Sequence, residues 1–188
     1  MAENTQNSPI SSKMLILALI ALVITVGGGG AFMFYLGAFK EAEVYRSVTQ
    51  EYHFAYVSHK GAYTNIDPIL EEVANKLKEG GIEPVTACAM FMDSVSQVEE
   101  SERQSKIGYL VKRNDYIAAP LEQMAIPSRE VVAATFEGGT LLGSHKAYTA
   151  MRDWSRAPCY QLSLPAFEIY HPNGKVEYQL PIHKKKYN

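Results

Sequence analysis

Apolar residues form one unbroken run near the N-terminus and alternate with polar residues elsewhere in the chain. Residues 14–39 contain no charged side chain, and an α-helix needs about 20 apolar residues to cross the hydrocarbon core of a bilayer. The run therefore predicts a transmembrane helix over 14–39, preceded by a disordered polar tail over 1–13. A cleaved signal peptide is the alternative, although the run is long for one and no clean small-residue cleavage site follows it.

From about Glu43 the pattern changes to short alternating segments separated by turn residues, which is typical of a folded domain over 43–188. Each half of this domain reads as strand, helix, strand, strand. The first half, about 50–113, has predicted strands at 53–61, 85–93 and 106–111, and a helix that starts with Asp67 as N-cap and stops at Gly80 and Gly81. The second half, about 128–183, has predicted strands at 131–138, 164–170 and 175–180, and a helix over about 140–154.

An internal duplication of a unit too small to bury its own apolar face predicts an α+β fold. Two β-α-β-β units should meet about a pseudo-two-fold axis that leaves a central cleft. The repeat aligns Ala89 with Glu168 and Phe91 with Tyr170, and it aligns the closing strands 106–111 and 175–180. The connecting segment 114–128 contains Pro120 and Pro127 and is predicted to be largely irregular.

The strand over 164–170 carries the chemistry. Alternation directs Phe167 and Ile169 to one face, a core face, and Glu168 and Tyr170 to the other. If the second face is solvent, an acid beside a phenol is ordinary. If it lines the cleft, the acid is desolvated, its pKa rises, and it can pair with a ligand cation or act as a general base.

Charge and cysteine content narrow the function. The 188 residues carry a formal charge of −2 with scattered Lys and Arg, so we expect no nucleic-acid partner. The terminal run Lys184–Lys186 reads as a solvated tail or, alternatively, as a lipid-attracted one. Cys88 and Cys159 define no disulfide framework, and no His or Cys spacing resembles a metal site, so neither metal nor cofactor is expected. Positive charges flank the apolar run almost equally, which favours only slightly a single-pass topology with a cytosolic domain.

The domain also resembles a known family. The motifs are Gly61-Ala62-Tyr63, the helix ending in Tyr148 to Trp154, Pro165 to Tyr170, and Gln179 to Ile182. Together and in this order they look like the GyrI-like small-molecule-binding domain, which is also fused to AraC-type and MerR-type regulators. Residues 128–136 and 180–182 further resemble its membrane-anchored members, including the animal receptor for autophagy of the endoplasmic reticulum. That receptor acts through a long tail, and this chain stops at Asn188, so we do not expect that role.

The resemblance implies a cleft that binds lipophilic, often cationic, aromatic molecules. The glutamate at Glu168 would meet the ligand among aromatic side chains, which gives the ligand-binding candidates Glu168, Tyr170, Tyr63, Phe91, Trp154, Tyr148 and Tyr109. Trp154 and Tyr148 can equally be core residues. Some members are hydrolases of strained cyclopropane compounds, and Glu168 and Tyr170 would then be catalytic. Thr140 and Gln179 stand where the family often has aromatic residues, which puts catalysis in doubt more than binding. A third hypothesis is a membrane-anchored scaffold for a protein partner.

Overall fold

The computed structural model describes residues 12–35, 37–64, 66–156 and 160–184. Most of the predicted tail (1–11), Cys159, and the last two residues of the lysine run lie outside the described residues. Helix α1 (Ser12–Tyr35) contains residues 14–35 of the apolar run, and it begins before the run, so Ser12 and Lys13 are helical rather than part of the predicted tail. The helix ends at Tyr35 rather than at residue 39, and residues 37–39 form a turn.

Helix α1 has the properties of a membrane span. Its segment Ser12–Phe34 is apolar and long enough to cross a bilayer, and none of the most apolar part is buried. A signal sequence near an N-terminus can meet the same criteria of length and hydropathy. The helix therefore fits both the predicted anchor and its alternative.

The second unit, Lys40–Asn188, is an α+β domain built on antiparallel strands, which confirms the predicted fold class. Its strands are β1 (Glu43–Val48), β2 (Tyr52–Lys60), β3 (Ala87–Phe91), β4 (Gln104–Val111), β5 (Glu122–Ile126), β6 (Glu130–Glu137), β7 (Tyr160–Leu162), β8 (Ala166–Tyr170) and β9 (Lys175–Lys184). Its helices are α2 (Asp67–Glu79) and α3 (Thr140–Arg156), and a short 3-10 turn spans Glu100–Glu102. The order β2-α2-β3-β4 and β6-α3-β8-β9 is the predicted duplication.

The strands follow the order β1-β6-β9-β8-β3-β4-β2-β5 across the sheet, and β7 pairs separately with β9. β3 and β8 pair antiparallel at the centre, so the two halves share one continuous sheet. The edge strands are exchanged: β1 precedes the first half but pairs with β6, whereas β5 precedes the second half but pairs with β2. Each half is thus completed by a strand from outside its own repeat, and segment 114–128, predicted to be irregular, contains β5.

Both helices pack on the same face of the sheet. Val73 and Leu77 of α2 are buried against Ala55 of β2, and Ala147 and Met151 of α3 join the larger cluster over β6, β8 and β9. The N-cap of α2 is Ile66, without a side-chain hydrogen bond, and the predicted cap Asp67 instead lies in the first turn. There its charge still favours the helix N-terminus. The helix ends at Gly80 as predicted, and Gly81 follows with a φ of 77°.

The face of the sheet that the helices do not cover is also buried, because the sheet is strongly curved. Phe54, Cys88 and Phe167 on this face are completely buried. The Gln179 side-chain amide on β9 donates a hydrogen bond to the Tyr52 hydroxyl on β2 at 3.2 Å. Four strand spacings, about 19 Å in a flat sheet, separate these strands. The sheet therefore curls strongly toward its helix-free face, and the side chains of that face form a second core.

The pairing at the centre of the sheet agrees with the predicted pseudo-symmetry, but the register of the closing strands differs from the predicted alignment. Ala89 pairs with Glu168, and a two-fold axis between them exchanges these two residues. The same axis carries the pair Ala87–Tyr170 onto the pair Ala166–Phe91. In the neighbouring ladders Ala89 pairs with Ile107 and Glu168 pairs with Tyr178. Ile107 therefore corresponds to Tyr178, and the sequence alignment of 106–111 with 175–180 is wrong by two residues.

Candidate functional site

Glu168 lies at the centre of the sheet, on the face that the helices cover. Its neighbours across the two ladders are Ala89 on β3 and Tyr178 on β9. The methyl group of Ala89 leaves room beside the carboxylate, and α3 covers it, so Glu168 is only 6% exposed. Alternation also buries Phe167 and Ile169 on the opposite face. The strand is thus covered on both faces, and the solvent interpretation of the Glu168 face is wrong.

Two phenols hold the carboxylate. Tyr148 of α3 donates a 2.7 Å hydrogen bond to Oε1, and Tyr170 of β8 donates a 2.8 Å hydrogen bond to Oε2. Among the described residues, no Lys, Arg or His forms an ion pair with Glu168. Burial raises the pKa of Glu168, and the two hydrogen bonds offset this only in part. Within the described ranges the site is therefore a buried acid without a counter-charge.

Tyr178 is the member of this site that sequence reasoning missed. It is completely buried, its ring meets that of Tyr148 edge to face at 5.6 Å, and its hydroxyl has no hydrogen-bond partner in the described part of the chain. Burial and the nearby Glu168 raise the pKa of Tyr178, and the same causes raise the pKa of Tyr148 and of Tyr170. All three phenols are therefore neutral at physiological pH, and Tyr148 and Tyr170 are the two that donate to Glu168.

Tyr63 and Phe91 extend the aromatic surface on the first half. Their ring centroids are 4.5 Å apart, and both residues pack in the cluster that contains Ala89. The Tyr63 hydroxyl donates to the Gln104 carbonyl at 2.8 Å and accepts from the Asp93 amide at 3.0 Å. Because its hydroxyl ties down the ends of β3 and β4, Tyr63 can offer a ligand only its ring.

The last two candidates lie further away. Trp154 stacks on Tyr160 with ring centroids 5.8 Å apart and packs at the margin of the Glu168 cluster. Tyr109 packs in a different cluster, with Val73 and Leu77 of α2. The structure therefore brings together Glu168, Tyr170, Tyr148, Tyr63 and Phe91, leaves Trp154 at the edge, and does not bring Tyr109 to the acid.

Comparison with known proteins identifies the family of this domain. The sequence profile of the GyrI-like small molecule binding domain matches residues 48–183. The chain belongs to the GyrI-like family. No curated protein is significantly similar to it.

Solved structures agree on the fold. The crystal structure of the EcmrR C-terminal domain superposes with a TM-score of 0.59 at 12% identity, covering 77% of this chain and 99% of that one. EcmrR in a cryo-EM complex with DNA gives a TM-score of 0.62 at 11% identity, covering 92% of this chain and 70% of that one. A crystal structure of a hydrolase from Listeria innocua gives 0.54 at 13% identity, covering 81% and 98%. At these identities the likeness is one of fold.

In this structure the GyrI-like domain is closed over its acid. A cavity of about 260 Å³ lies between the end of α2 and residues 116–121, and another of about 320 Å³ lies among Lys40, Glu43, Phe136 and Lys175. Neither is lined by Glu168 or its phenols. A ligand that reaches Glu168 must therefore displace side chains that now cover it, and Tyr148 is the one that joins the acid to a helix.

The GyrI-like domain shows no metal centre in the described ranges. No three His, Cys, Asp or Glu side chains there lie close enough together to hold a metal ion. Cys88 is completely buried beside Ile169, and burial alone raises the pKa of its thiol well above the ordinary value. A neutral buried thiol is a core residue rather than a nucleophile.

Proposed function

We propose that this chain is a membrane-tethered GyrI-like domain that binds lipophilic, cationic aromatic molecules through Glu168. The observation that carries the proposal is the buried carboxylate whose two oxygens, among the residues that the structure describes, accept hydrogen bonds only from the phenols of Tyr148 and Tyr170. A buried acid of this kind is stabilised far more by a cation than by neutral donors, because the interior screens charge weakly. A bound cation would supply the charge that the site lacks.

The surrounding rings suit such a ligand. Tyr148, Tyr178 and Phe91 offer aromatic faces beside the acid, and aromatic faces attract cations as well as apolar groups. The acid orients the ligand while the rings supply most of the apolar contact area. Since the pKa of Glu168 is raised, binding of a cation should release a proton wherever the free acid is protonated. Affinity should therefore increase as the pH rises toward the pKa of Glu168.

Helix α1 is the proposed membrane tether, and a tether would favour binding of the proposed class of ligand. Lipophilic cations accumulate at anionic bilayer surfaces, so a domain held there meets them at high local concentration. Retention of α1 can be measured directly in cells. Membranes washed with alkaline carbonate should keep the chain, and mass spectrometry should find the intact apolar segment. A soluble product that lacks residues 12–34 would contradict the tether.

Ligand binding can be tested with two ions of the same shape and opposite charge. The full chain in detergent is heated with tetraphenylphosphonium or with tetraphenylborate, and the unfolding temperature is recorded. We expect only the cation to stabilise the wild-type chain, and we expect Glu168→Gln to remove at least about tenfold in affinity. The exposed Glu137→Gln serves as the matched control. Equal effects of both ions, or of the cation on both variants, would contradict the proposal.

Hydrolysis of reactive, strained compounds is the second candidate. It is favoured by an acid with a raised pKa that sits between two phenols, because a carboxylate whose pKa approaches the working pH can act as a general base. The test is the decay of a cyclopropane-bearing alkylating agent with the full chain, with Glu168→Gln, and with buffer. Decay no faster than in buffer would exclude this activity, whereas the binding proposal would be unaffected.

Nucleic acid is not part of the proposed function. The EcmrR structure is a complex with DNA, which describes that protein. Here the Lys and Arg residues are scattered and the formal net charge is −2, which provides no electrostatic footprint for DNA. A duplex should leave the full chain unshifted on a native gel at moderate salt.

A further inference from the structure

A cavity of about 320 Å³ lies at one end of the sheet, separate from the site of Glu168. Thr135 and Phe136 of β6 line it together with five charged residues. Most of these charged residues are exposed, so a ligand can enter the cavity without displacing any part of the core. The lining therefore suits a polar, charged ligand rather than the lipophilic cations proposed for Glu168.

The positive charges of the cavity lie around the ends of β6 and β9. Glu137 and Lys175 are directly opposite each other on these strands, and Lys40 Nζ lies 3.6 Å from Glu137 Oε2. Lys175 forms no ion pair within the described residues. Because an ammonium group has three donors, Lys40 can keep its contact with Glu137 and still donate to a ligand. Two lysines around one acid thus leave a net positive charge here.

The negative charges lie on the other side of β6. Glu43 begins β1 and pairs with Thr135, and Glu41 lies just before it in the chain. Neither carboxylate forms an ion pair in the part of the chain that the structure describes. Since β6 separates β1 from β9, these two strands are about 10 Å apart. The cavity thus has a negative edge and a positive edge, with Thr135 between them.

Helix α3 fixes the wall of the cavity that carries Lys40. The Lys146 ammonium group on α3 donates a hydrogen bond to the Lys40 carbonyl. The same ammonium group lies 5.6 Å from the centroid of the Phe136 ring. The segment that begins with Lys40 is therefore held to both α3 and β6. A ligand that meets charges already held in place loses less free energy in ordering them.

The cavity is also close to helix α1 along the chain. The helix ends at Tyr35, and residues 36–40 lead from it to the first residue of the cavity. Five residues of extended chain reach at most about 18 Å. A bilayer that α1 crosses would therefore have its headgroups within reach of this connection. Phospholipid headgroups carry a phosphate, and some carry an ammonium group beside it, which matches a cavity with two oppositely charged edges.

We propose that this cavity binds the headgroup of a membrane phospholipid that carries a phosphate and a primary ammonium group, as in phosphatidylethanolamine. Lys40 and Lys175 donate to the phosphate, and Glu41 and Glu43 accept hydrogen bonds from the ammonium group two carbons away. A quaternary ammonium group has no N–H to donate and prefers aromatic faces, whereas Phe136 is only 2% exposed. The membrane source of the ligand rests on the tether proposed above, and the charge pattern of the cavity does not.

The experiment places the full chain in nanodiscs that contain equal amounts of phosphatidylethanolamine, phosphatidylcholine and phosphatidylglycerol. Native mass spectrometry then identifies the lipids that stay bound to the chain after its release from the disc. We expect one phosphatidylethanolamine to be retained in preference to the other two lipids. Retention in proportion to the composition of the disc would show that lipid only surrounds the helix, and would overturn the proposal.

Variants separate the two ends of the headgroup. Lys175→Gln removes a contact to the phosphate and should lower the retention of phosphatidylethanolamine about fivefold, the range of a partly exposed ion pair. Glu41→Gln combined with Glu43→Gln removes the acceptors for the ammonium group and should abolish the preference over phosphatidylcholine. The exposed Lys112→Gln and Glu83→Gln are the matched controls, and unfolding temperatures verify that each variant is folded. Equal losses in the cavity variants and in the controls would contradict the proposal.

Two further measurements keep this proposal separate from the proposed function. Glu168→Gln should leave lipid retention unchanged, because Glu168 does not line the cavity. The soluble headgroup glycerophosphoethanolamine is added to the full chain in dodecyl maltoside, and saturation-transfer NMR detects its binding. This binding should be lost in Lys175→Gln, whether or not cells retain α1. Binding of the soluble headgroup without any retained lipid would identify a free phosphoethanolamine compound as the ligand, and would overturn the membrane source.

Discussion

The Tyr148 hydroxyl donates to Glu168 Oε1 at 2.7 Å and thereby joins helix α3 to the centre of the sheet. This hydrogen bond also restricts ligand access to Glu168, because the helix that carries Tyr148 covers the acid. Tyr170, on the same strand as Glu168, provides the second hydrogen bond without crossing between elements. Removing the Tyr148 hydroxyl or the Tyr170 hydroxyl should therefore distinguish two effects. Both changes remove a hydrogen bond to Glu168, but only the change at Tyr148 should also affect ligand access.

Replacing Tyr148 with Phe should destabilise the domain at a pH where Glu168 is ionised. The variant leaves one oxygen of a buried carboxylate without a donor, and a hydrogen bond to a charged group contributes about 1.5–3 kcal/mol. Urea unfolding of Tyr148→Phe and Tyr170→Phe measures this, with Tyr116→Phe, at an exposed tyrosine, as the control. We expect similar losses for the first two and faster ligand entry only for Tyr148→Phe. Unchanged stability in both variants would mean that the carboxylate is not held as described.

The raised pKa of Glu168 predicts how stability depends on pH. The folded chain holds the Glu168 proton to a higher pH than the unfolded chain does. Between the two pKa values folding takes up a proton, so the contribution of Glu168 is fully present below the unfolded pKa and is lost as pH rises through the folded pKa. Glu168→Gln should flatten this part of the profile and make the domain relatively more stable at high pH. Parallel profiles for wild type and Glu168→Gln would contradict the shift, and Glu137→Gln is the control.

Alternation and turn residues were sufficient to predict the elements of each half and the equivalence of Ala89 and Glu168 in the repeat, although not that the two residues pair across neighbouring strands. They could not set the register of the closing strands. A slip of two residues returns every side chain to the same face, so the alignment that made Tyr109 the counterpart of Tyr178 satisfied the hydrophobic pattern equally well. The connections give no anchor either, because residues 92–103 join β3 to β4 whereas only residues 171–174 join β8 to β9. Tyr178 was missed for this reason.

The exchanged edge strands were also beyond prediction. β1 alternates only loosely between exposed and half-buried residues, and β5 lies between two prolines. Both strands are short and pair on one side only, so little of their sequence is constrained by a core. The partners Gln179 and Tyr52 are 127 residues apart in the chain and meet only because the sheet curls. Contacts that depend on curvature leave no periodic signal in either segment.

Replacing Tyr178 with Phe should stabilise the ligand-free domain. The hydroxyl is completely buried and has no partner among the described residues, so its removal relieves a desolvation cost and should add about 1 kcal/mol to the free energy of unfolding. This sign is opposite to that of Tyr148→Phe, although both variants lose one phenolic oxygen from the same cluster. If a lipophilic cation or its hydration uses the hydroxyl, its affinity should fall in the same variant. A loss of stability as large as that of Tyr148→Phe would show that the hydroxyl is bonded after all.

Substitution of Gly143 tests how closely α3 packs against the residues around Glu168. A Cβ atom at this position would be 2.7 Å from Phe136 Cδ1 and 2.8 Å from the Tyr178 hydroxyl oxygen. Helix propensity alone predicts that Gly143→Ala stabilises the domain by about 1 kcal/mol, whereas overpacking costs about 1–3 kcal/mol. We expect overpacking to dominate, because both contacted side chains are themselves fully enclosed. Urea unfolding gives the sign, and adding Tyr178→Phe should recover part of the loss, since it removes one of the two overlapping atoms. A simple gain in stability would mean that α3 can move away from the sheet at little cost, and Tyr148 would then be a weak barrier to ligand entry.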